Sequence, residues 1–477
     1  MAPLYLEVVF NLPLCQSFTY SVPFPEREDY EGLRVEVFFG RRKMTGFCVS
    51  SSSELPDDLP FPAEGIKEIR RVIDKEPLFG TGEISLARWI SDYYLCSAGE
   101  ALSAMLPSGR RETESGALAG EDGEFSPASV ELSDEQREAV KGILEAARAG
   151  DGKAARAAAD GAIYLYGVTG SGKTEVFLQA AEAVLASGRD VVYLVPEISL
   201  THQVEESVRK RFGAEAAVLH SGLTGSRRFS EWMRIRRGEA RVVVGARSAV
   251  FAPVRNLGLI IIDEEHDSSY KSGTSPRYHA RQVAMKRCAE SRCALVMGSA
   301  TPSVEAWHLI KTGLMRSFKL TKRLSGGAPP SIQVVSLAGR QRALTDELIE
   351  EVRAAKRAGR QSIIFLNRRG FSHYFRCSTC GYELLCRNCS VPATYHRAKG
   401  VMKCHYCGWQ SRPPSSCPEC GSLDVSYSGI GTEYLESEIS ASFPDCSIKR
   451  VDTDALSGKD DLRETLEEFR NGKIDIL

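Results

Sequence analysis

No stretch of the 477-residue sequence approaches the roughly 18 consecutive apolar residues that a membrane span requires. The opening MAPLYLEVVFNLPL lacks a basic n-region and a small-residue cleavage site, so no secretory signal is read and a cytoplasmic location is expected. Net charge is nearly absent as well. Lys and Arg number 61 against 62 Asp and Glu, a balance of −1 that argues neither for nor against nucleic acid. No internal repeat is found beyond short cysteine pairs. What remains is a globular composition, 43% hydrophobic and 26% charged, on a chain long enough for about three domains.

Distribution tells more than totals. Residues 367–420 carry eight Lys/Arg and two Glu, a local excess of +6 that could neutralise phosphates even on a neutral chain. Eight of the fourteen cysteines fall between Cys377 and Cys420. Dense pairs in a cytosolic chain point to metal and away from disulfides.

Short β-branched and aromatic runs, LRVEVFFG and MTGFCVS, flank the turn-like GRRK and read as strands of a small β-rich unit. ISLARWISDYYL has helical spacing and should pack on it. Residues 108–131 are rich in Gly, Ser and Glu without an apolar period, which is linker composition. From Leu132 the strand-like runs IYLYGV, DVVYLVP, RVVVGA, LGLIIID and CALVMGS alternate with helical stretches, the pattern of a parallel, doubly wound α/β sheet. A break near LTKRLSGGAPP separates a second lobe. It opens with the amphipathic ELIEEVRAAKRAG and a buried strand QSIIFLN, is interrupted by the cysteines, and resumes at GIGTEYLESEI.

Gly167, Val168, Thr169, Gly170, Ser171, Gly172, Lys173 and Thr174 fit GxxxxGK[ST] between a strand and a helix, the context that motif needs. Its glycines let backbone N–H groups turn on a phosphate, and the helix N-terminus adds positive potential. Lys173 would reach the β- and γ-phosphates of ATP, and Thr174 would ligate Mg²⁺. Asp263 and Glu264 end the apolar run of LIIIDEEH. Asp263 is placed to hold the Mg²⁺ shell, and Glu264 to orient the attacking water as the base. The order of these motifs, with Ser299, Ala300 and Thr301 after a further strand, narrows an NTPase to helicases and translocases with two RecA-like lobes. There the Ser-Ala-Thr segment couples nucleotide state to lobe movement. Gln136, ahead of the loop, stands where such proteins read adenine, or is a plain helix glutamine.

Four CxxC pairs follow: Cys377 and Cys380, Cys386 and Cys389, Cys404 and Cys407, Cys417 and Cys420. Each can present two thiolates to a tetrahedral ion, so four make two Cys₄ zinc sites. Three ways of joining the pairs exist. The middle two enclose a ribbon-like spacing, which favours one ion between them and a second between the outer two. Sites with no open position are structural, and His396 and His405 are not needed as ligands.

GVTGSGKTEVF, LVPEISLT, LHSGL, GARSAVFAP, IIDEEHDSSYK, RYHAR, GSATPSVE, FLNRRGF, the CxxC pairs and GIGTEYLE occur in this order. Together they resemble the bacterial replication-restart helicases called primosomal protein N′, of helicase superfamily 2, over essentially the whole chain. The resemblance implies an ATP-dependent 3′-to-5′ DNA helicase that recognises stalled forks and D-loops and initiates primosome assembly. Forked and single-stranded DNA, other primosome proteins, single-stranded DNA-binding protein and the machinery that loads the replicative helicase are the implied partners. It implies a fold of two RecA-like P-loop lobes, the second incomplete, with a small β-rich N-terminal domain and a two-zinc insertion. The corresponding division is 1–107 for a domain that binds a 3′ DNA end, 108–131 for a linker and 132–322 for lobe 1. Lobe 2 takes 323–376 and 421–477 around the zinc insertion 377–420. Phe18, Gly40 and Lys67 match the pocket for a nascent 3′ end. Arg277, Tyr278, His279 and Arg281 match an aromatic-rich loop coupling DNA contact to hydrolysis. The nested zinc pairing is also that of the family.

Three departures qualify these expectations. Phe18-Thr19-Tyr20 lacks the acid usual after the pocket aromatic. Only the linker occupies the place of the family's winged-helix domain. The sequence given stops at GKIDIL, before a Gly-Thr-Gln motif, the segment with arginine fingers and a C-terminal domain. Such a finger is worth about 10³–10⁵ in rate, so a C-terminally truncated chain acting as a catalytically impaired DNA- and partner-binding scaffold stands as the alternative to an active helicase. An RNA helicase is disfavoured by the DEEH form and the zinc insertion.

Overall fold

The computed structural model describes residues 3–55, 65–107, 131–149, 162–196, 208–220, 222–324, 330–336, 344–366, 375–377, 379–396, 400–404, 406–426, 432–451 and 459–477. The expected linker up to residue 130, LVPEISLT beyond Pro196, Ser221, His405, residues 367–371 of FLNRRGF and 429–431 of GIGTEYLE lie outside them. The chain divides into two compact units, Met1–Ala328 and Pro329–Leu477.

The first unit opens with an antiparallel sheet. Its strands are β1 (Leu4–Val9), β2 (Phe18–Val22), β3 (Arg34–Phe39), β4 (Arg42–Ser52) and β5 (Arg71–Val72), in the order β2-β1-β4-β3-β5. In β3, Val35 and Val37 are buried while Arg34 and Glu36 are half-exposed, the period-2 pattern of a sheet with one covered face. Gly40, at φ +61°, makes the turn into β4. The helix expected from ISLARWISDYYL is present, and a second helix follows it. α1 (Thr81–Tyr94) ends where Leu95 turns left-handed at φ 53°. α2 (Ala98–Met105) starts on a capping box, in which Ser97 Oγ accepts from the Glu100 amide at 3.0 Å and Glu100 Oε2 from the Ser97 amide at 2.9 Å.

The rest of the first unit adds α3 (Asp134–Ala149), β6 (Ala162–Gly167), α4 (Lys173–Ala186), β7 (Asp190–Leu194), β8 (Ala216–Leu219), α5 (Gly225–Arg236) and β9 (Val242–Gly245). It continues with β10 (Leu257–Asp263), α6 (Ala280–Ser291), β11 (Ala294–Ser299), α7 (Val304–Lys311) and β12 (Arg316–Leu320). The seven strands form one parallel sheet, β12-β6-β11-β10-β7-β9-β8. Alternate side chains feed two cores. Ile163, Leu165, Val191, Leu259 and Ile261 pack with residues of α3 and α4. Tyr164, Val192, Leu194, Ile260 and Ile262 share the other core with α5, α6 and the N-terminal helices. Strands buried on both faces read as unbroken apolar runs, so the motif strands were visible in the sequence. β8 and β12 were not: one is four residues long and the other, RSFKL, carries two charges in five residues.

In the second unit α8 (Asp346–Arg357), α9 (Thr432–Ser442) and α10 (Lys459–Arg470) accompany a core of Leu344, Val352, Leu435, Ile439, Phe443 and Ile476. The expectation of a buried strand at QSIIFLN needs correction. Ile364 and Leu366 pack on this core, but Ile363 and Phe365 are 67% and 81% exposed. Among the described residues the segment is joined by one parallel bridge, Ser362 to Ile476, so only one of its faces is covered. The cysteine module carries β13 (Arg376–Cys377) paired with β17 (Val425–Ser426), and a meander of β14 (Thr394–His396), β15 (Val401–Lys403) and β16 (Gln410–Ser411). No described helix is long and apolar enough to cross a membrane.

Candidate nucleotide, metal and DNA sites

The carboxyl ends of β6, β10 and β11 lie side by side in the parallel sheet, and each delivers one part of the candidate nucleotide site. β6 feeds the phosphate loop. Gly170 and Gly172 adopt φ near +80°, and a Cβ at Gly172 would strike Gln136 Nε2 and Leu324. Lys173 starts α4, is buried, and donates from Nζ to the Gly167 carbonyl at 2.9 Å. Ser171 Oγ is buried without a hydrogen-bond partner among the described residues. An orphaned hydroxyl and a lysine resting on its own loop carbonyl suit a loop made to hold phosphate oxygens. Gln136 is buried against this loop. Its Nε2 donates to the Ser171 carbonyl at 3.0 Å, and its Oε1 accepts from the Ser133 amide at 2.8 Å.

β10 delivers Asp263. Its Oδ1 accepts from the Glu264 amide at 2.9 Å, and its Oδ2 from the phenol of buried Tyr193 at 3.0 Å. Thr174 is hydrogen-bonded to the same phenol, so Tyr193 stands between the two expected Mg²⁺ ligands. Burial in the sheet, with Glu264 beside it, pushes the Asp263 carboxyl up to about 6. A divalent ion would offset that penalty, and the donor set of one carboxylate and one hydroxyl suits Mg²⁺. Glu264 holds φ 44°, the left-handed region that costs a non-glycine residue about 1 kcal/mol or more.

β11 ends at Ser299. Its hydroxyl donates to Glu264 Oε2 at 3.0 Å, accepts from the Thr301 amide at 3.0 Å and lies 2.7 Å from His266 Nδ1. The Ser-Ala-Thr segment thus touches the acid pair directly.

Sequence reasoning passed over Glu265, whose side chain is wholly buried. It pairs with Arg281, accepts from Ser303 Oγ at 2.8 Å and from the Ser303 amide at 3.2 Å, and meets the Tyr164 hydroxyl at 3.4 Å. The signal was present: a second Glu directly after an apolar strand, with an Arg in the RYHAR run to match it. The other loop residues also bear on structure. Tyr278 is buried against Phe251, ring centroids 4.8 Å apart, with Arg247 over its face. His279 caps α6, its Nδ1 accepting from the Arg281 amide at 3.2 Å. Arg277 is exposed.

In the N-terminal sheet, Phe18 meets Phe39 edge-on at 5.0 Å, and Lys67 Nζ donates to the Gly40 carbonyl at 3.1 Å, so the three residues expected to form a pocket are neighbours. Thr19 stands where an acid is usual, yet a carboxylate lies next to it. Glu7, its cross-strand partner, accepts from Thr19 Oγ1 at 2.7 Å and from Ser17 Oγ.

The eight thiols gather into two groups, Cys377, Cys380, Cys417 and Cys420, and Cys386, Cys389, Cys404 and Cys407, with the sulfurs of each within 4.8 Å of one another. The pairs Cys377–Cys420, Cys380–Cys417 and Cys386–Cys407 are 3.6 Å apart. A tetrahedron with Zn–S of about 2.3 Å places its sulfurs about 3.8 Å apart, so the donor sets fit zinc. One turn serves all four pairs. The amide four residues after the first cysteine bonds back to that cysteine's carbonyl, at Gly381, Ser390, Gly408 and Gly421. Each of these four has positive φ, the conformation that aims two thiolates at one point.

The model of the PriA 3′ DNA-binding domain matches residues 7–107, that of DEAD/DEAH box helicases 135–309, and that of the PriA DNA helicase Cys-rich region 386–412. The chain is 52% identical over 479 residues to replication restart protein PriA of Treponema pallidum, covering 100% of this chain and 71% of that protein. It is 33% identical over 543 residues to its namesake in Haemophilus influenzae, covering 99% and 73%. With the Bacillus subtilis protein identity is 42% over 351 residues, 72% of this chain and 43% of that one. A candidate nucleotide site at the strand ends of a parallel sheet, two cysteine tetrads and matches that span nearly all of this chain lead to one conclusion: the chain belongs to the replication restart protein PriA family of DNA-binding helicases.

Proposed function

We propose that this chain is an ATP-dependent 3′-to-5′ DNA helicase of the cytoplasm that recognises stalled forks and D-loops and initiates primosome assembly. Its partners would be forked and single-stranded DNA, single-stranded DNA-binding protein, other primosome proteins and the replicative helicase loader. Residues 1–107 bind the DNA end, 132–322 form the ATP-binding lobe, 323–376 and 421–477 form lobe 2, and 377–420 form the zinc insertion. The observation that carries this reading is the meeting of phosphate loop, acid pair and Ser299 at three neighbouring strand ends.

ATP draws Lys173 from the Gly167 carbonyl to its β- and γ-phosphates, while the loop amides and Ser171 Oγ take the remaining oxygens. Thr174 and Asp263 would hold Mg²⁺, which supplies charge neutralisation at the phosphate oxygens. Glu264 is the base. Ser299 occupies its Oε2, leaving Oε1 to accept a hydrogen bond from the attacking water. Ser299-Ala300-Thr301 registers that event, because the same hydroxyl touches Glu264 and Thr301. The zinc tetrads are structural and hold a basic knob on the second lobe.

Steady-state ATP turnover with and without forked DNA tests the reading. Turnover stimulated by the fork is expected, with Glu264→Gln retaining ATP affinity but losing turnover. Lys173→Ala should bind nucleotide about 10- to 150-fold more weakly, the worth of a hydrogen bond to a charged group, with two zinc ions per chain retained. Blank-level turnover with intact ATP binding would overturn the helicase reading in favour of a non-catalytic scaffold.

A further inference from the structure

The buried face of α1 is Ile84, Leu86, Ala87 and Ile90. Three aromatic residues lie off that face and form a cluster of their own. Trp89 and Tyr93, one turn apart, stack with ring centroids 5.0 Å apart and planes 21° apart. Tyr94 meets Tyr93 edge-on at 4.8 Å and Trp89 at 6.3 Å. Trp89 and Tyr94 rest on the edge of the core, but Tyr93 is 58% exposed. It is stacked on Trp89 yet keeps more than half of its surface in water. Two lysines from the nucleotide-binding lobe reach over the cluster: Lys271 Nζ lies 5.3 Å from the Tyr94 ring centre, and Lys286 Nζ 5.8 Å from that of Trp89. Lys271 also donates to the Arg277 carbonyl, and Lys286 pairs with Glu290 at 3.0 Å.

We propose that Trp89, Tyr93 and Tyr94, with Lys271 and Lys286, are a stacking platform for a base of single-stranded DNA. This deepens the DNA-binding reading above and rests on it. The chemistry is specific to that ligand. A rigid ring already fixed by its neighbours loses little entropy on taking a base, and ammonium groups at its border meet the phosphates on either side. A duplex keeps its bases stacked internally and cannot use the exposed ring. A partner protein's apolar side chain would gain nothing from the two lysines. Position adds an argument: the Tyr94 hydroxyl accepts from the His279 amide at 3.1 Å, two residues from Arg281, which holds Glu265 beside the acid pair. A base on the platform therefore lies at one end of an unbroken run of contacts to the nucleotide site.

Tyr93 is exposed, so its replacement leaves the fold intact, and the test compares Tyr93→Ala and Tyr93→Phe with the parent chain. Anisotropy of a short dye-labelled oligothymidine should show Tyr93→Ala weaker by about fivefold or more, the low end for loss of one base–aromatic stack, and Tyr93→Phe within about twofold. A blunt duplex should not distinguish the three. Tryptophan quenching on binding should shrink in Trp89→Phe. If Tyr93→Ala binds the oligothymidine as the parent does, or weakens duplex binding equally, the platform is not a stacking site while the DNA-binding reading stands. If the parent chain binds neither, both readings fall.

Discussion

Glu265 and Arg281 form an ion pair with side chains almost entirely out of water, and the arrangement is expensive to break from one side. Removing one member of a buried pair leaves the other charged and desolvated, typically a loss of about 3–5 kcal/mol. Glu265→Ala should therefore lower the unfolding free energy by that amount, while Glu265→Gln, which keeps hydrogen bonds to Ser303 and Arg281, should cost less. Denaturant titration of the two variants checks this, and a loss under about 1 kcal/mol for Glu265→Ala would mean that Arg281 finds other partners. His279 supports a second prediction. Partial burial, with Arg281 and Lys271 nearby, holds its imidazole down at about 4, and its cap on α6 needs Nδ1 free to accept. Between the ordinary histidine value of about 6.5 and that depressed value, the unfolded chain binds a proton that the folded chain refuses. Stability should thus fall as pH is lowered through this window, and His279→Asn, an N-cap residue that does not titrate, should flatten the slope. Unfolding curves across the window measure it; equal slopes in both proteins would count against the cap.

At the level of elements, the cysteine turns show what sequence spacing could and could not supply. The CxxC spacing identified eight ligands and left three pairings open. The fourfold turn, with Gly381, Ser390, Gly408 and Gly421 at positive φ, explains why each pair converges, and three glycines at the same offset were its legible trace. The phosphate loop and the acid pair were equally readable, because local order alone builds them. Tyr193 and the aromatic cluster were not, and Glu265 only in part, since their meaning comes from partners far away in the chain, 185 residues in the case of Tyr94 and His279. QSIIFLN misled for a related reason: apolar character on both faces says nothing about whether a neighbour covers each one. Among the described residues the cysteine module has a small core, with Phe375, Ala393 and Met402 as the buried residues of its apolar cluster. That is too little to order it without metal. Chelation of zinc should raise amide exchange throughout the described parts of 375–426 while leaving β6, β10 and β11 protected. Protection that survives removal of both ions would show the module to be self-supporting.

Across the first unit, the N-terminal sheet with its helices and the parallel-sheet lobe share one interior. Phe79 stands at the seam, edge-on to Phe47 of β4 at 5.8 Å and to Trp232 of α5 at 6.4 Å, all three within the same core. Polar contacts cross the seam too. Arg237 meets Glu76 at 2.6 Å, and Arg236 donates to the Pro77 carbonyl at 2.7 Å. The Arg237–Glu76 pair is about half exposed and so is worth about 1 kcal/mol or less, whereas emptying a buried Phe site costs about 3–5 kcal/mol. The apolar contact therefore decides whether the two modules move as one body. Phe79→Ala should raise amide exchange in β3, β4 and α5 together, and Glu76→Ala should scarcely change it. If Phe79→Ala loosened the N-terminal sheet and left α5 protected, the seam would be a hinge, and coupling between the two modules would rest on polar contacts such as Tyr94 with the 271–281 loop.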